Sequence, residues 1–326
     1  MKEMKSTKMK AVVCTRYGSP EVLQLQEVAK PAPREKEVII KIHATSATSG
    51  DARIRRADPF IVRLIFGLKK PRKSILGVVV AGEIESVGKE VTKFKVGDQV
   101  FGAKGIDFGT YAEYTSMPEN GVLALKPKNI SYEEAAAIPF GATAALHFLR
   151  KAKIKSRQKV LIYGASGAIG TAAVQLAKLF GAEVSAVCST TNIEMVKALG
   201  AEKVFDYTKE DFSENGEKYD VIFETVGKSS FSQSIKSLNS KGYLLMASAG
   251  PSQLLRGLLV SITSRKKVIS GVIEESADDM IYLKELIETG KLKAVIDRRY
   301  PLEQIAEAHK YVDTGHKKGN VVIIVE

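Results

Sequence analysis

The distribution of apolar and polar positions divides the chain into two parts. From Met9 to about Pro127, short β-type runs read "MKAVVCT", "VLQLQEV", "EVIIKIHAT", "VVVAGEIESV", "DQVFGAK" and "TYAEYTSM". Turn signals such as "YGSP", "KPAP", "KVGD" and "MPENG" separate them. Many short strands with turns at this spacing predict a partly closed barrel rather than a parallel sheet.

The pattern changes after Pro127. The run "SYEEAAAIPFGATAALHFLRKA" predicts one helix, with Ser131 as its N-cap and Glu134 completing a capping box. Short runs rich in Val, Ile and Leu then alternate with helical patterns, and these runs are "KVLIYG", "EVSAVCS", "KVFDY", "YDVIFETVG", "GYLLMAS" and "KVISGVI". About six such runs predict a doubly wound parallel sheet in an α/β fold. The C-terminal segment predicts two amphipathic helices and a final strand that could join either part.

The stretch "YGASGAIG" places three glycines between the first of these strands and a helix predicted from Ile169 to Phe180. Gly164, Gly167 and Gly170 are spaced by three residues. A strand-to-helix turn of this kind directs backbone N–H groups and the helix dipole at one point, where side chains would keep a pyrophosphate away. The motif therefore predicts a dinucleotide phosphate site. A tight corner without a ligand is the alternative.

The end of the second strand of this fold contacts the adenosine ribose, and an NAD site commonly has an acidic residue there. Here the strand reads "EVSAVCSTTN", in which Ser189, Thr190 and their neighbours are uncharged. We therefore predict NADPH as the preferred cofactor and NADH as the poorer one. The alternative is that these residues only cap the next helix.

Charge adds a separate observation. The 326 residues carry a formal net charge of +12, with cations concentrated in the first ten residues, in the segment from Arg53 to Lys73, and at 316–318. A solvated basic surface that attracts an anionic cofactor explains this balance. Contact with nucleic acid or with a membrane surface is an alternative for Arg53–Lys73, but we expect neither partner.

The sequence shows neither a membrane-spanning run nor a secretory signal. No apolar run approaches the roughly 18 residues that cross a bilayer, and the charged N-terminal sequence "MKEMKSTKMKAVV" does not resemble a secretory signal. Two cysteines, Cys14 and Cys188, cannot form a disulfide framework. We expect a cytoplasmic protein.

Several stretches together resemble the medium-chain dehydrogenase/reductase superfamily, in particular its zinc-free quinone and enone reductases. They are "MKAVVCTRYGSPEVLQLQEV", "KFKVGDQVFG", "GTYAEY", "AAAIPFGATAALHFL", "VLIYGASGAIGTAAVQLAKLFGAEV", "KALGAEKVFDYTKEDF" and "VVII". The resemblance implies a GroES-like β-barrel catalytic domain over 1–133 and 275–326 and a Rossmann domain over 134–274. It also implies a cofactor cleft between them and a homodimer.

Zinc-dependent members carry a ligand cysteine three residues before an aspartate, and a Gly-His-Glu motif. Here "TSGD" places Thr48 at the cysteine position, and "LGVVVAGE" places Gly77, Val78 and Val79 at the Gly-His-Glu motif. The resemblance thus implies no zinc site. Without a Lewis acid, hydride transfer suits quinones and α,β-unsaturated carbonyls, which spread the developing charge. A zinc alcohol dehydrogenase, or a non-catalytic nucleotide sensor that binds RNA or a membrane surface, remains as an alternative.

The resemblance also assigns individual residues. Thr143 is expected beside the nicotinamide carboxamide and Tyr207 beside the adenosine 2′-phosphate. The remaining cofactor contacts that it implies are Ser166, Gly167, Ala168 and Ile169 at the pyrophosphate, Ser248 and Ala249 at the ribose-nicotinamide end, and Asn320 at a cofactor-facing position before the last strand. No acid–base constellation stands out. Thr48 and Tyr111 are candidates for contact with the substrate oxygen, although packing explains either equally well.

Overall fold

A computed structural model of the chain describes residues 8–325. The chain forms two compact units. Unit 1 takes in the chain through Phe140 together with Ser276–Glu288 and Ala294–Glu326, and unit 2 comprises Gly141–Glu275 and Thr289–Lys293. Each unit has a hydrophobic core of its own. Residues 134–140 thus lie in unit 1, and residues 275 and 289–293 lie in unit 2, whereas the bounds implied by the resemblance place each of them in the other domain.

The elements follow in chain order. The strands are β1 (Lys8–Cys14), β2 (Leu23–Ala29), β3 (Glu37–Ala47), β4 (Val79–Val87), β5 (Gln99–Ala103), β6 (Tyr114–Pro118), β7 (Val122–Leu125), β8 (Lys159–Tyr163), β9 (Glu183–Cys188), β10 (Lys203–Asp206), β11 (Tyr219–Glu224), β12 (Leu238–Met246), β13 (Lys267–Ser270), β14 (Ile296–Pro301) and β15 (Asn320–Ile324). The α-helices are α1 (Ser49–Arg56), α2 (Val62–Phe66), α3 (Tyr132–Ala136), α4 (Pro139–Lys151), α5 (Ala168–Leu179), α6 (Ile193–Ala198), α7 (Phe231–Lys236), α8 (Pro251–Thr263), α9 (Ala277–Glu288) and α10 (Ile305–Asp313).

Unit 1 is built on the long strand β3. Its main sheet has the order β14-β15-β3-β4-β5-β7, and β6 also pairs with β3. All pairs are antiparallel except β14 with β15, and β1 and β2 form a separate antiparallel pair. The C-terminal strand β15 therefore joins this sheet, with Val322 opposite Ser46. The sequence pattern missed β14, because "IDRRYP" is too polar to show a strand period.

Unit 2 is built on a six-stranded parallel sheet with the order β10-β9-β8-β11-β12-β13. This arrangement confirms the predicted doubly wound parallel sheet. The strand order reverses between β8 and β11, and such a switch point opens a crevice at the carboxyl ends of the strands, where ligands bind in this class of fold.

Some predicted helices differ from the observed ones. The single helix predicted from Ser131 is two helices, α3 and α4, because Pro139 lacks the N–H that a continuous helix needs. The capping box is present: Ser131 N–H donates to Glu134 Oε2 at 2.9 Å, and Glu134 N–H donates to Ser131 Oγ at 3.1 Å. Helix α8 and the short helices α1 and α2 were not predicted. Within residues 8–325, none of the helices has the length and apolar character needed to cross a membrane.

Candidate functional site

The glycine-rich turn joins β8 to α5 at the switch point of the unit 2 sheet. Gly164 has a φ of +81°, which favours glycine. A β-carbon on Gly164 would also lie 2.7 Å from both Thr225 Oγ1 and Val226 Cγ1. Packing and backbone conformation therefore both require glycine here.

The other two glycines of the motif differ in what surrounds them. A β-carbon on Gly170 would lie 2.2 Å from the carbonyl oxygen of Gly164, so glycine lets α5 pack directly onto the turn. Gly167 has a φ of −82°, and its β-carbon would meet nothing closer than the Gly164 oxygen at 3.6 Å. Neither strain nor packing requires glycine at Gly167, and its missing side chain leaves space in front of the helix.

The first turn of α5 faces that space. Gly167 is the N-cap and has no side chain to bond the helical N–H groups, of which the first belong to Ala168 and Ile169. The positive end of the helix dipole adds to their attraction for an anion. Ser166, next to the N-cap, is partly exposed. These residues fit the pyrophosphate of a dinucleotide.

Thr225, which the sequence analysis missed, fixes the conformation of the turn. Its backbone N–H and its hydroxyl both donate to the carbonyl oxygen of Tyr163, at 3.1 and 2.9 Å. The hydroxyl also lies 3.2 Å from the Gly164 oxygen. A threonine directly after the strand "VIFE" was the available signal, because residues at that strand end lie at the switch point.

Helix α4 packs against the same turn. A β-carbon on Gly141 would lie 2.3 Å from the carbonyl oxygen of Ala168, so the two backbones are in close contact. Thr143 follows two residues later along α4 and is 2 % exposed. Its hydroxyl donates to Glu275 Oε1 at 2.8 Å. No local pattern identified Glu275 as this partner, and the expected contact of Thr143 with the nicotinamide stays a prediction.

The surroundings of the end of β9 differ from the prediction that only uncharged residues lie there. The sequence of that strand shows only uncharged residues there, but β10 brings Asp206 directly opposite Cys188. The hydroxyl of Thr190 donates to Asp206 Oδ2, and that of Thr208 donates to Asp206 Oδ1 at 2.7 Å. These hydrogen bonds, from Thr190 first and Thr208 second, lower the pKa of Asp206 to about 2. A carboxylate therefore lies beside the predicted ribose position, and a search along β9 alone could not find it.

A cavity of about 470 Å³ opens at this edge of the sheet. Its lining residues are Tyr163, Val187, Tyr207, Thr208, Lys209, Glu210, Asp211, Phe212, Lys228, Ser229, Ser230 and Gln233. Tyr207 is 50 % exposed, and Lys209 Nζ lies 3.7 Å from Asp206 Oδ2. The cavity thus combines an exposed aromatic ring with two lysines next to the strand end where an adenosine ribose is expected.

A buried carboxylate orders the neighbouring loop after β11. Glu224 is 1 % exposed and accepts the backbone N–H groups of Val226 at 3.1 Å, Gly227 at 2.5 Å and Lys228 at 3.2 Å. Burial raises the pKa of Glu224, and these N–H donors oppose the rise.

Ser248 and Ala249, predicted cofactor contacts, follow β12. A β-carbon on Gly227 would lie 3.3 Å from Ser248 Oγ, so the loops after β11 and β12 are in contact.

The two catalytic candidates and Asn320 belong to unit 1. Thr48 caps α1: its hydroxyl donates to Asp51 Oδ2 at 2.6 Å and accepts the Asp51 N–H at 3.0 Å. Asp51 is fully buried, and burial raises its pKa to about 6. In this arrangement the Thr48 hydroxyl is committed to the cap, and its contact with a substrate oxygen stays a prediction.

Tyr111 is also fully buried. Its hydroxyl lies 3.1 Å from His309 Nε2, and burial lowers the pKa of His309 to about 3. The side-chain amide of Asn320 donates to the carbonyl oxygen of Val295 at 3.1 Å. Both side chains thus have partners within unit 1, and their predicted functional roles stay predictions.

The last feature of this region concerns metal ligands. Across residues 8–325, His, Cys, Asp and Glu side chains form no group of three or more that could hold a metal ion. Thr48 offers its hydroxyl to Asp51, and the Gly77 N–H donates to Asp51 Oδ1 at 3.2 Å. The position that carries the ligand cysteine in zinc dehydrogenases therefore takes part here in a hydrogen-bonded cap.

Two family models match the chain. Residues 34–127 match the alcohol dehydrogenase GroES-like domain, and residues 199–323 match a model described as a zinc-binding dehydrogenase. The first range lies in unit 1 and identifies its sheet as the predicted GroES-like fold.

Curated proteins and solved structures are similar over almost the whole chain. The 2-methylene-furan-3-one reductase of Solanum lycopersicum is 35% identical over 97% of this chain and 79% of its own length. The NADPH-dependent alkenal/one oxidoreductase of Arabidopsis thaliana is 32% identical over the same shares, 97% and 79%. The quinone oxidoreductase structure from Coxiella burnetii has a TM-score of 0.89 at 30% identity, covering 98% of this chain and 100% of that one. The chain belongs to the medium-chain dehydrogenase/reductase superfamily, in its quinone oxidoreductase-like branch.

Proposed function

We propose that the protein is an NADPH-dependent reductase that transfers hydride to a quinone or an α,β-unsaturated carbonyl without zinc. The observation that carries this proposal is the geometry at Gly167. Glycine there is required by neither strain nor packing, and it leaves open the uncapped start of α5. A bound dinucleotide phosphate explains that choice. The names of the relatives, two of them reductases of conjugated carbonyl compounds or of furanones, support the reaction class.

The chain contributes binding and orientation. The N–H groups of Ala168 and Ile169 and the dipole of α5 hold the pyrophosphate, and Thr225 keeps the turn in the conformation that presents them. When bound, the nicotinamide supplies the hydride. Orientation of the two reactants and exclusion of water account for much of the rate that such a site provides.

The preference for NADPH rests on the cavity at the end of β10. Lys209 and Lys228 line it and offer positive charge to a 2′-phosphate, and Tyr207 offers an exposed ring beside them. Asp206 favours NADH in principle, since a free carboxylate accepts from ribose hydroxyls. Here its oxygens already accept from Thr190 and Thr208. The lysines therefore decide the preference.

The absence of zinc from the proposed reaction rests on the cap at Thr48 and Asp51. Both side chains are buried and bonded to each other, so neither is available to a metal without breaking the start of α1. Conjugated acceptors need less polarisation of the carbonyl oxygen than simple ketones, because the developing negative charge is delocalised.

One assay tests the proposal. Oxidation of NADPH and of NADH is followed with a panel of quinones, α,β-unsaturated carbonyls and simple ketones, and the zinc content of the active protein is measured. We expect turnover of quinones or enones, faster with NADPH, in protein without stoichiometric zinc. Reduction of simple ketones alone, or activity that follows bound zinc, would refute the proposal.

We also propose a homodimer formed through unit 2. Helix α8 exposes a stripe of apolar side chains at helical spacing, Leu255, Leu258 and Ile262, which are 62, 58 and 71% exposed. The adjacent strand β13 is at the edge of the parallel sheet. An exposed apolar stripe beside an open sheet edge is a typical protein–protein surface.

A further inference from the structure

The basic segment from Phe60 to Lys73 forms a second exposed apolar surface, on unit 1. It contains α2 and the loop that follows. One side of α2 is anchored: Val62 packs with Tyr17, Ala57, Ile54 and Phe66 in a small core. Tyr17 donates from its hydroxyl to the Gly67 carbonyl oxygen at 2.7 Å. The segment is therefore held in place rather than loosely attached.

The other side of the segment faces solvent with apolar side chains. Ile61, Leu64, Ile65 and Leu68 are 56, 61, 61 and 66% exposed. Ile61 is the N-cap of α2, and Leu64 and Ile65 follow it at three and four residues, so these three side chains share one face of the helix. Leu68 lies beyond Gly67, where the helix ends. Phe60, at the start of the segment, is 71% exposed. Soluble surfaces rarely carry so many large apolar residues together without a partner.

The charges around this face have one sign. Between Pro59 and Lys73 the segment holds Arg63, Lys69, Lys70, Arg72 and Lys73 and no acidic residue. Lys73 pairs with Asp107 at 2.6 Å. Lys69, Lys70 and Arg72 are exposed and form no ion pair within residues 8–325. A partner that covers the apolar face therefore also meets uncompensated positive charge.

We propose that the Phe60–Lys73 segment docks on the surface of an anionic lipid bilayer. Aliphatic side chains enter the boundary between headgroups and acyl chains, and the flanking cations contact the anionic headgroups. A second copy of the same face would bring like charges together. A nucleic acid would leave the aliphatic side chains without a partner, since it binds through stacking and phosphate contacts.

The test uses the full chain and sedimentation with lipid vesicles. Wild-type protein is mixed with vesicles of phosphatidylcholine alone or of phosphatidylcholine with phosphatidylserine, at low and high salt. We expect binding to the phosphatidylserine vesicles that weakens as salt rises. The charge variant K69E/K70E is expected to bind more weakly by at least roughly 30-fold, because each of the two lost cations contributes about fivefold and the two glutamates add repulsion from the anionic lipid. The apolar variant L64S/I65S is expected to keep electrostatic binding at low salt and to lose binding as the salt concentration rises.

Matched controls separate the segment from the rest of the surface. K93E/K95E makes the same change of charge at two other exposed lysines of unit 1. V96S/I106S removes two other exposed apolar side chains, which are 60 and 74% exposed. Both controls should bind like the wild type, and melting temperatures confirm that all variants fold.

Three results would overturn the proposal. The first is no binding to phosphatidylserine vesicles, and the second is equal binding by K69E/K70E and the wild type. The third is a different partner: single-stranded RNA bound by the wild type and not by K69E/K70E, or self-association that L64S/I65S abolishes, without vesicle binding. The test is independent of the reductase assay, so failure of one proposal leaves the other intact.

Discussion

The carbonyl oxygen of Gly164 lies so close to the α-carbon of Gly170 that a β-carbon there would sit 2.2 Å from it. The first and last glycines of the motif are thus in backbone contact. A β-carbon on Gly167, which lies between them in the sequence, would meet no atom closer than 3.6 Å. This difference separates the glycines that build the turn from the one that leaves room for a ligand.

The two kinds of glycine are expected to respond differently to substitution. Gly170→Ala must shift backbone atoms, so we expect a loss of about 1–3 kcal/mol in the free energy of unfolding. Gly167→Ala is expected to fold with near wild-type stability, because its φ suits alanine. It should weaken NADPH binding about tenfold or more, since the methyl group occupies the phosphate position. Urea unfolding and fluorescence titration with NADPH measure the two effects.

The comparison between these variants supplies its own control. If Gly167→Ala binds NADPH as tightly as the wild type, the phosphate does not lie at the start of α5. If it unfolds as easily as Gly170→Ala, the space in front of the helix has a structural purpose instead.

Thr225→Val is expected to loosen the same turn from the opposite side. It removes the hydroxyl that donates to Tyr163 at 2.9 Å while it keeps the volume and the backbone bond. A lost buried hydrogen bond costs about 1 kcal/mol. We expect that loss in urea unfolding together with a higher KM for NADPH. Unchanged stability and unchanged KM in this variant would show that the hydroxyl does not fix the turn.

The sequence predicted the parts of the fold that local patterns determine. The strand-turn-helix around "YGASGAIG" follows from apolar runs and glycine spacing, and the cap at Ser131 follows from Glu134 three residues later. Asp206 could not be found in this way. Its position beside Thr190 depends on the pairing of β10 with β9, which brings together residues 16 positions apart.

The surroundings of the catalytic candidates could not be predicted from the sequence either. Thr48 and Tyr111 have hydroxyls that could serve a substrate, and the sequence alone does not show what surrounds them. In the fold, Asp51 and His309 bond these hydroxyls inside unit 1. Which polar groups stay free is decided by tertiary packing, and residue type alone does not encode it.

The cofactor preference is expected to change when the lysines of the cavity are removed. Lys209→Ala and Lys228→Ala should each raise the KM for NADPH about tenfold, because a charge-assisted hydrogen bond to a phosphate contributes about 1.5–3 kcal/mol. The KM for NADH should stay within about twofold, since NADH has no 2′-phosphate. Equal effects on both cofactors would place the 2′-phosphate elsewhere. Lys241→Ala, at an exposed lysine on β12, is the matched control.

The proposed dimer predicts a change of mass on substitution in α8. Leu258→Glu puts a charge into the middle of the exposed stripe, where burial against a partner would cost several kcal/mol. Light scattering should then show a dimer for the wild type and a monomer for this variant. Val96→Glu, at an equally exposed position of unit 1, should remain dimeric. A wild-type monomer would exclude the interface.

Two separate buried groups, Asp51 and His309, predict opposing effects of pH on stability. Burial raises the pKa of Asp51 from 3.8 to about 6, so the folded chain keeps a proton that the unfolded chain has released. Its contribution therefore lowers stability as pH rises from about 4 to 6. Burial lowers the pKa of His309 from 6.5 to about 3, so the unfolded chain binds a proton that the folded chain does not. The contribution of His309 therefore raises stability as pH rises from about 3 to 6.5.

Removing the carboxylate isolates the first effect. Asp51→Asn carries a constant penalty from the altered cap, but its stability relative to the wild type should increase by up to about 3 kcal/mol between pH 4 and 6. His309→Gln should show the opposite trend, falling relative to the wild type as pH rises. Urea unfolding across this range measures both differences. Parallel curves for Asp51→Asn and the wild type would mean that Asp51 ionises in the folded chain as it does in the unfolded one, and its burial would then carry no proton-linked cost.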